Sequence, residues 1–187
     1  MTPAVFLDRD GTLIVEKDFL RSPEDVALHA GAGPALHRLQ SNGFRLFIVS
    51  NQSGVGRGYF TMAEVERVNS RVQEEFMRFG VRFEKIYIAP EAPSEPSRGR
   101  KPSPQFLFDA RDEFGLDLTA SYMIGDKWSD LECGWNGGVK KCLLVRTGYG
   151  CQTERESLSR IGQAMVVDDV TAGVEWILKQ PRIYGES

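Results

Sequence analysis

Cysteine and histidine are scarce in this chain, three of the first and two of the second in 187 residues. Cys133, Cys142 and Cys151 are odd in number and form no CxxC pair, and His29 and His37 are not spaced as HxxxH. That scarcity argues against a zinc centre, which needs clustered thiolates and imidazoles, so all five are read as structural or surface residues. An excess of basic charge is also lacking. The formal net charge is −3, which gives no electrostatic footprint for nucleic acid or an anionic membrane. No run approaches the ~20 apolar residues of a membrane span. Met1-Thr2-Pro3, followed by an apolar segment, lacks the basic start of a signal peptide, so a cytoplasmic, monomeric protein is the expectation. In a reducing cytosol a disulfide is not expected either. What is present is ordinary globular material, 41% hydrophobic and 26% charged. It suffices for a core without staples, and residues 1–187 are read as one domain.

Apolar runs alternate with helical patterns. Ala4-Val5-Phe6-Leu7 reads as a buried strand, Phe44 to Val49 as a second and Phe83 to Ala89 as a third. Tyr122-Met123-Ile124, Lys141 to Val145 and Met165-Val166-Val167 extend the series. Between them, Pro34 opens a helix that Gly43 stops. Thr61 and Glu64 form a capping box ahead of Val65, Val68, Val72, Phe76 and Phe79, which places an amphipathic helix over 62–79. Further helices are expected over 105–114, 130–135 and 172–179. Residues 16–30 read as a loop, as does 90–104, which holds five of the nine prolines. Strands alternating with helices predict an α/β fold, a parallel sheet with helices on both faces. Ligands in such sheets bind beyond the carboxyl ends of the strands.

Four constellations stand at or near such positions. Asp8-Arg9-Asp10-Gly11-Thr12 follows the first strand. Gly11 allows the chain to leave extended geometry, so that two acids two apart converge. Convergent carboxylates call for a hard cation, and Mg²⁺ suits them. A carboxylate there can attack phosphorus, and its neighbour can pass protons. Ser50-Asn51-Gln52-Ser53-Gly54 offers a hydroxyl and backbone N–H groups to phosphate oxygens. Arg100-Lys101-Pro102 supplies a point charge. Gly125-Asp126-Lys127-Trp128-Ser129-Asp130 brings another carboxylate to a strand end. Alone, each has a plain alternative as an acidic turn, a polar loop or a solvated surface. Their order and placement together are far more specific.

Taken together, the four resemble the motifs of the haloacid dehalogenase superfamily of phosphatases. FLDRDGTL, SNQSGVGRGYF, RKPSP and IGDKWSD are similar to those of its histidinol-phosphate and heptose 1,7-bisphosphate phosphatase branch. The resemblance spans Val5 to about Gly150. It implies a Rossmann-like core without a large cap domain. It also implies Asp8 as nucleophile and Mg²⁺ ligand, and Asp10 as general acid/base with its backbone carbonyl on the metal. Asp126 becomes the third ligand, with Ser50 and Lys101 on the transferring phosphoryl group. Substrate contacts are implied at Glu16, Lys17, Asp18, Phe19, Asn51, Gln52, Ser53, Arg100 and Lys127. Arg57, Arg100 and Lys127 are candidates for a second, distal phosphate. The implied substrate is a small phosphorylated sugar, heptose 1,7-bisphosphate first and histidinol phosphate second. A polynucleotide 3′-phosphatase shares the motifs, but the charge of −3 speaks against it. A non-catalytic binding module would be expected to have lost Asp8 or Asp10. One departure stands out. Members of the branch often carry a Cys- and His-rich zinc loop before the lysine motif, and residues 89–99 contain neither residue, so no zinc is expected.

Overall fold

The computed structural model describes residues 1–157 and 161–181. Six strands form one parallel sheet: β1 (Ala4–Leu7), β2 (Arg45–Asn51), β3 (Lys85–Ala89), β4 (Tyr122–Gly125), β5 (Lys141–Val145) and β6 (Met165–Val167). Their spatial order is β3-β2-β1-β4-β5-β6. The chain therefore builds outward from β1 on one side, then crosses back to β4 on the other. The switch point, where open α/β sheets bind ligands, lies beyond the carboxyl ends of β1 and β4.

All four residues of β1 are buried. Because strand side chains alternate, Val5 and Leu7 enter one core and Ala4 and Phe6 the other. The first core packs α1 (Ala32–Ser41), α2 (Met62–Met77) and α6 (Val170–Leu178) on one face through Leu36, Leu39, Val68, Val72, Phe76 and Ile177. The second packs α3 (Gln105–Phe114) and α4 (Trp128–Asn136) on the other through Leu107, Ala110, Leu131 and Cys133. A sheet covered on both faces explains why its strands read as unbroken apolar runs. Among the described residues no helix is long and apolar enough to cross a membrane.

The expected capping box is present, with Thr61 and Glu64 bonded reciprocally at the start of α2. Phe79 departs from the expectation. The helix ends at Met77, and Phe79 is exposed, its ring lying over Gly33 where a Cβ would come within 2.2 Å of it. A further helix, α5 (Gly150–Glu156), escapes the pattern because GCQTERE has no apolar stripe. It turns out to matter for the site.

Candidate active site

After β1 the chain doubles back. The Leu13 N–H donates to Arg9 O at 2.9 Å, the Gly11 N–H donates to Ile14 O at 2.8 Å, and Gly11 adopts φ +82°. The turn sends the side chains of Asp8 and Asp10 to different surroundings. Asp8 is buried, and its Oδ1 accepts from the Lys101 ammonium at 2.5 Å. Lys101 also donates to Val49 O and pairs with Asp130 Oδ1, both at 2.7 Å. Burial works against the ammonium, but Asp130 and Asp8 outweigh it and push its pKa up. Lys101 thus stays charged in a dry site. Its loop is clasped by Asn51, whose side-chain amide donates to Lys101 O and accepts from the Lys101 N–H, both at 3.0 Å.

Asp126 follows β4 and is fully buried. Its Oδ2 accepts from the Tyr149 N–H at 2.8 Å, and its backbone carbonyl accepts from the Thr153 hydroxyl of α5 at 2.9 Å. Its Oδ1 is buried and accepts no hydrogen bond. Gly11 and Gly148 both press close here, since a Cβ on either would come within 2.3 Å of Asp126 Oδ2. Among the described residues Asp8, Asp126 and Asp130 each present an oxygen, all within 4.8 Å of one another. Burial above all raises the pKa of Asp8 and of Asp126, and neighbouring carboxylates add to it. Three buried carboxylates against the buried Lys101 ammonium and the more exposed one of Lys127, with an unpartnered oxygen among them, form a donor set that fits a hard dication.

Asp10 points elsewhere. Its carboxylate accepts from the Arg9 fork and from Gln52 Nε2, which lies 2.9 Å from Oδ2. Gln52 Nε2 also donates to Ser50 Oγ at 2.7 Å, so Ser50, Gln52 and Asp10 form a single chain of contacts. Beyond them opens a cleft of about 190 Å³ walled by Glu16, Lys17, Asp18, Phe19, Asn51, Gln52, Ser53 and Lys127. Glu16 lies 3.6 Å from Lys127 Nζ. Burial raises the Glu16 pKa against the pull of Lys127. Lys17 pairs with Asp25 at the rim. Phe19, held at φ +55°, sets its ring edge-on to Tyr59 at 4.8 Å.

Sequence reasoning missed Tyr149 and Phe60, which also line the cleft. Tyr149 donates its hydroxyl to Asp18 at 2.8 Å and carries the Lys127 ammonium 4.5 Å from its ring centre. The available signal was its position just after β5, at the same carboxyl edge of the sheet. Arg57 and Arg100, expected at a distal phosphate, stand outside the cleft wall. Arg100 donates to Glu91 O at 3.1 Å, while Arg57 is exposed and close enough to add to the lowering of the Arg100 pKa that burial begins.

Known proteins are similar to this chain in sequence and fold. A family model described as polynucleotide kinase 3 phosphatase matches residues 4–130, and one described as HAD-hydrolase-like matches 99–173. The chain is 38% identical to a D-glycero-beta-D-manno-heptose-1,7-bisphosphate 7-phosphatase of Helicobacter pylori, covering 76% of this chain and 83% of that one. It is 36% identical to the Escherichia coli K12 protein of the same name, over 83% and 85% of the two chains. The crystal structure of a D,D-heptose 1,7-bisphosphate phosphatase from B. bronchiseptica, complexed with magnesium and phosphate, superposes with a TM-score of 0.85. That pair is 28% identical over 95% of this chain and 98% of the other. The chain belongs to the haloacid dehalogenase-like phosphatases, and within them to the heptose bisphosphate phosphatase branch.

Proposed function

We propose that the chain removes the 7-phosphate of D-glycero-D-manno-heptose 1,7-bisphosphate, leaving the heptose 1-phosphate, through an aspartyl-phosphate on Asp8. The observation that carries this reading is the buried contact of Asp8 with Lys101 beside Asp126, while Asp10 and Lys127, from the same two strand-end loops, line a cleft rich in polar groups. The named relatives supply the substrate.

Asp8 attacks phosphorus in line with the ester oxygen. As the P–O bond breaks, Asp10 gives its proton to that oxygen and the sugar leaves as an alcohol. A water then attacks the aspartyl-phosphate, Asp10 takes back a proton, and the Asp8 carboxylate and inorganic phosphate are released. Lys101 and the Ser50 hydroxyl hold the equatorial oxygens, where the charge is spread in the transition state. The carboxylates of Asp8 and Asp126 and the Asp10 carbonyl would hold Mg²⁺, which would supply positive charge to offset that on the phosphoryl group. Gln52 links Ser50 to Asp10, so the group that grips phosphate and the group that moves protons keep a fixed spacing.

No zinc is part of this reading. Side chains tie the 89–100 loop instead, with Glu91 accepting from the Ser97 hydroxyl at 2.7 Å, Glu95 from the Ala92 N–H at 2.6 Å, and Asp109 from the Arg98 guanidinium. Lys127 and Tyr149 line the cleft beyond the reacting phosphate and contact the sugar. The test is kcat/KM across a panel holding both heptose bisphosphate anomers, histidinol phosphate and a 3′-phosphorylated oligonucleotide. A preference for the bisphosphates is the expected result, and a preference for either of the others overturns the substrate.

A further inference from the structure

Arg9 is the largest fully buried side chain among the described residues, 1% exposed, and in sequence it stands between Asp8 and Asp10. A guanidinium has donors only and never loses its charge, so burying it is costly unless every donor is met. Its Nε lies 2.9 Å from Asp10 Oδ2, and its Nη2 lies 2.8 Å from Oδ2 and 3.1 Å from Oδ1. On the other side Nη1 donates to Asn69 Oδ1 at 2.7 Å. Asn69 is itself buried, a lone polar residue within the apolar stripe of Val65, Val68, Val72 and Phe76 on α2. A polar residue there weakens the stripe unless it has a partner, and Arg9 is that partner.

The contacts on Asp10 are unequal. Oδ2 accepts from Arg9 Nε and from Gln52 Nε2, which occupies both of its lone pairs, whereas Oδ1 accepts one bond, from Arg9 Nη2 at 3.1 Å, and keeps a lone pair open. We propose that Arg9 and Asn69 are positioning residues that pin the Asp10 carboxylate through Oδ2 and leave Oδ1 to exchange the proton with the leaving ester oxygen. With its fork on Asp10 and Nη1 on Asn69, Arg9 acts through Asp10. The inference rests on the role given to Asp10 above. In the step concerned, the proton on Oδ1 passes to the bridging oxygen as its bond to phosphorus breaks, and the electron pair of that bond becomes the new O–H.

The test compares kcat/KM for a primary alkyl phosphate with that for 4-nitrophenyl phosphate, whose leaving group departs without a proton. Asp10→Asn, the control, should lose far more on the alkyl ester. Arg9→Lys and Asn69→Leu should each lose about tenfold more on the alkyl ester than on the aryl one, because a misplaced acid is a weakened acid. The ratio is taken within one preparation, so partial unfolding cancels, and Asn69→Ser serves if Asn69→Leu does not fold. A second readout needs no turnover. In the metal-free wild-type protein the Arg9 Nε–H should exchange slowly with solvent by NMR, and faster in the Asn69 variants. Equal losses on both esters, no loss on either, rapid Nε–H exchange in wild type, or unchanged exchange in the Asn69 variants each overturns the proposal. If Asp10→Asn itself shows no leaving-group dependence, the acid/base role fails and this inference falls with it. If only the Arg9 and Asn69 variants lack it, the role stands and the inference alone fails.

Discussion

The ammonium of Lys101 touches the Asp8 carboxylate at 2.5 Å although 93 residues of chain separate them. The sheet order explains the meeting. Asp8 leaves central β1, and Lys101 enters over the carboxyl end of β2 through its bond to Val49 O. The contact is almost dry, with the two side chains 9% and 2% exposed. A cation so placed screens the Asp8 carboxylate from its acidic neighbours.

Lys101→Met should lower kcat by at least about a hundredfold, the scale seen when one preorganised electrostatic donor is removed. It also leaves Asp8 and Asp130 without their common partner. The metal-free variant should therefore melt well below the wild type, by the ~3–5 kcal/mol that breaking a buried pair costs, and recover part of the loss with Mg²⁺. Thermal melts with and without the ion check this. An unchanged melting temperature would mean that the pair contributes nothing.

Asp8→Asn should abolish turnover and leave the fold intact, because an amide cannot attack phosphorus. Burial raises the Asp8 pKa, so its charge is a burden on the folded apoprotein. The metal-free Asn variant should accordingly melt at or above the wild-type temperature. Turnover near the wild-type rate would refute the nucleophile assignment.

How much of this was legible beforehand differs by element. The strands were visible because both faces of the sheet are covered, which makes each an apolar run, and Asp8 and Asp126 follow directly at their ends. Asn51 and Gln52 were placed at the site, but their bonds to Lys101 and to Ser50 and Asp10 depend on loops far apart in sequence. Tyr149 belongs to no motif and precedes a short polar helix, so only its place after β5 marked it, and Arg9 was hidden inside a motif read for its acids. Arg57 and Arg100 looked suitable by charge and loop position, yet the folded 90–100 segment turns Arg100 to its own carbonyl at Glu91.

Gly11→Ala tests the metal cradle. The substitution puts a side chain at φ +82°, where L residues lose about 1–2 kcal/mol, and drives a Cβ against Asp126 Oδ2. Calorimetry should show Mg²⁺ affinity reduced by about tenfold or more, the order of loss when a ligand's support is disturbed. Unchanged affinity would place the ion away from Asp126.

Tyr149→Phe removes the bond to Asp18, and Tyr149→Ala also removes the ring beneath Lys127. A half-exposed cation–π contact contributes roughly 0.5–1 kcal/mol. Tyr149→Ala should raise KM for the bisphosphate about two- to fivefold, leaving kcat for 4-nitrophenyl phosphate little changed. A fall in kcat with unaltered KM would move the Tyr149 side chain from the sugar to the reacting centre.

The central claim is that phosphorus is displaced twice, first by Asp8 and then by water. The most direct test uses a phosphate ester made chiral at phosphorus with oxygen isotopes and reads the configuration of the transferred group after transfer to an alcohol acceptor. Each in-line displacement inverts, so two of them return net retention, which is the result expected here. Net inversion would mean a single attack on the ester with no aspartyl-phosphate, and would contradict the account.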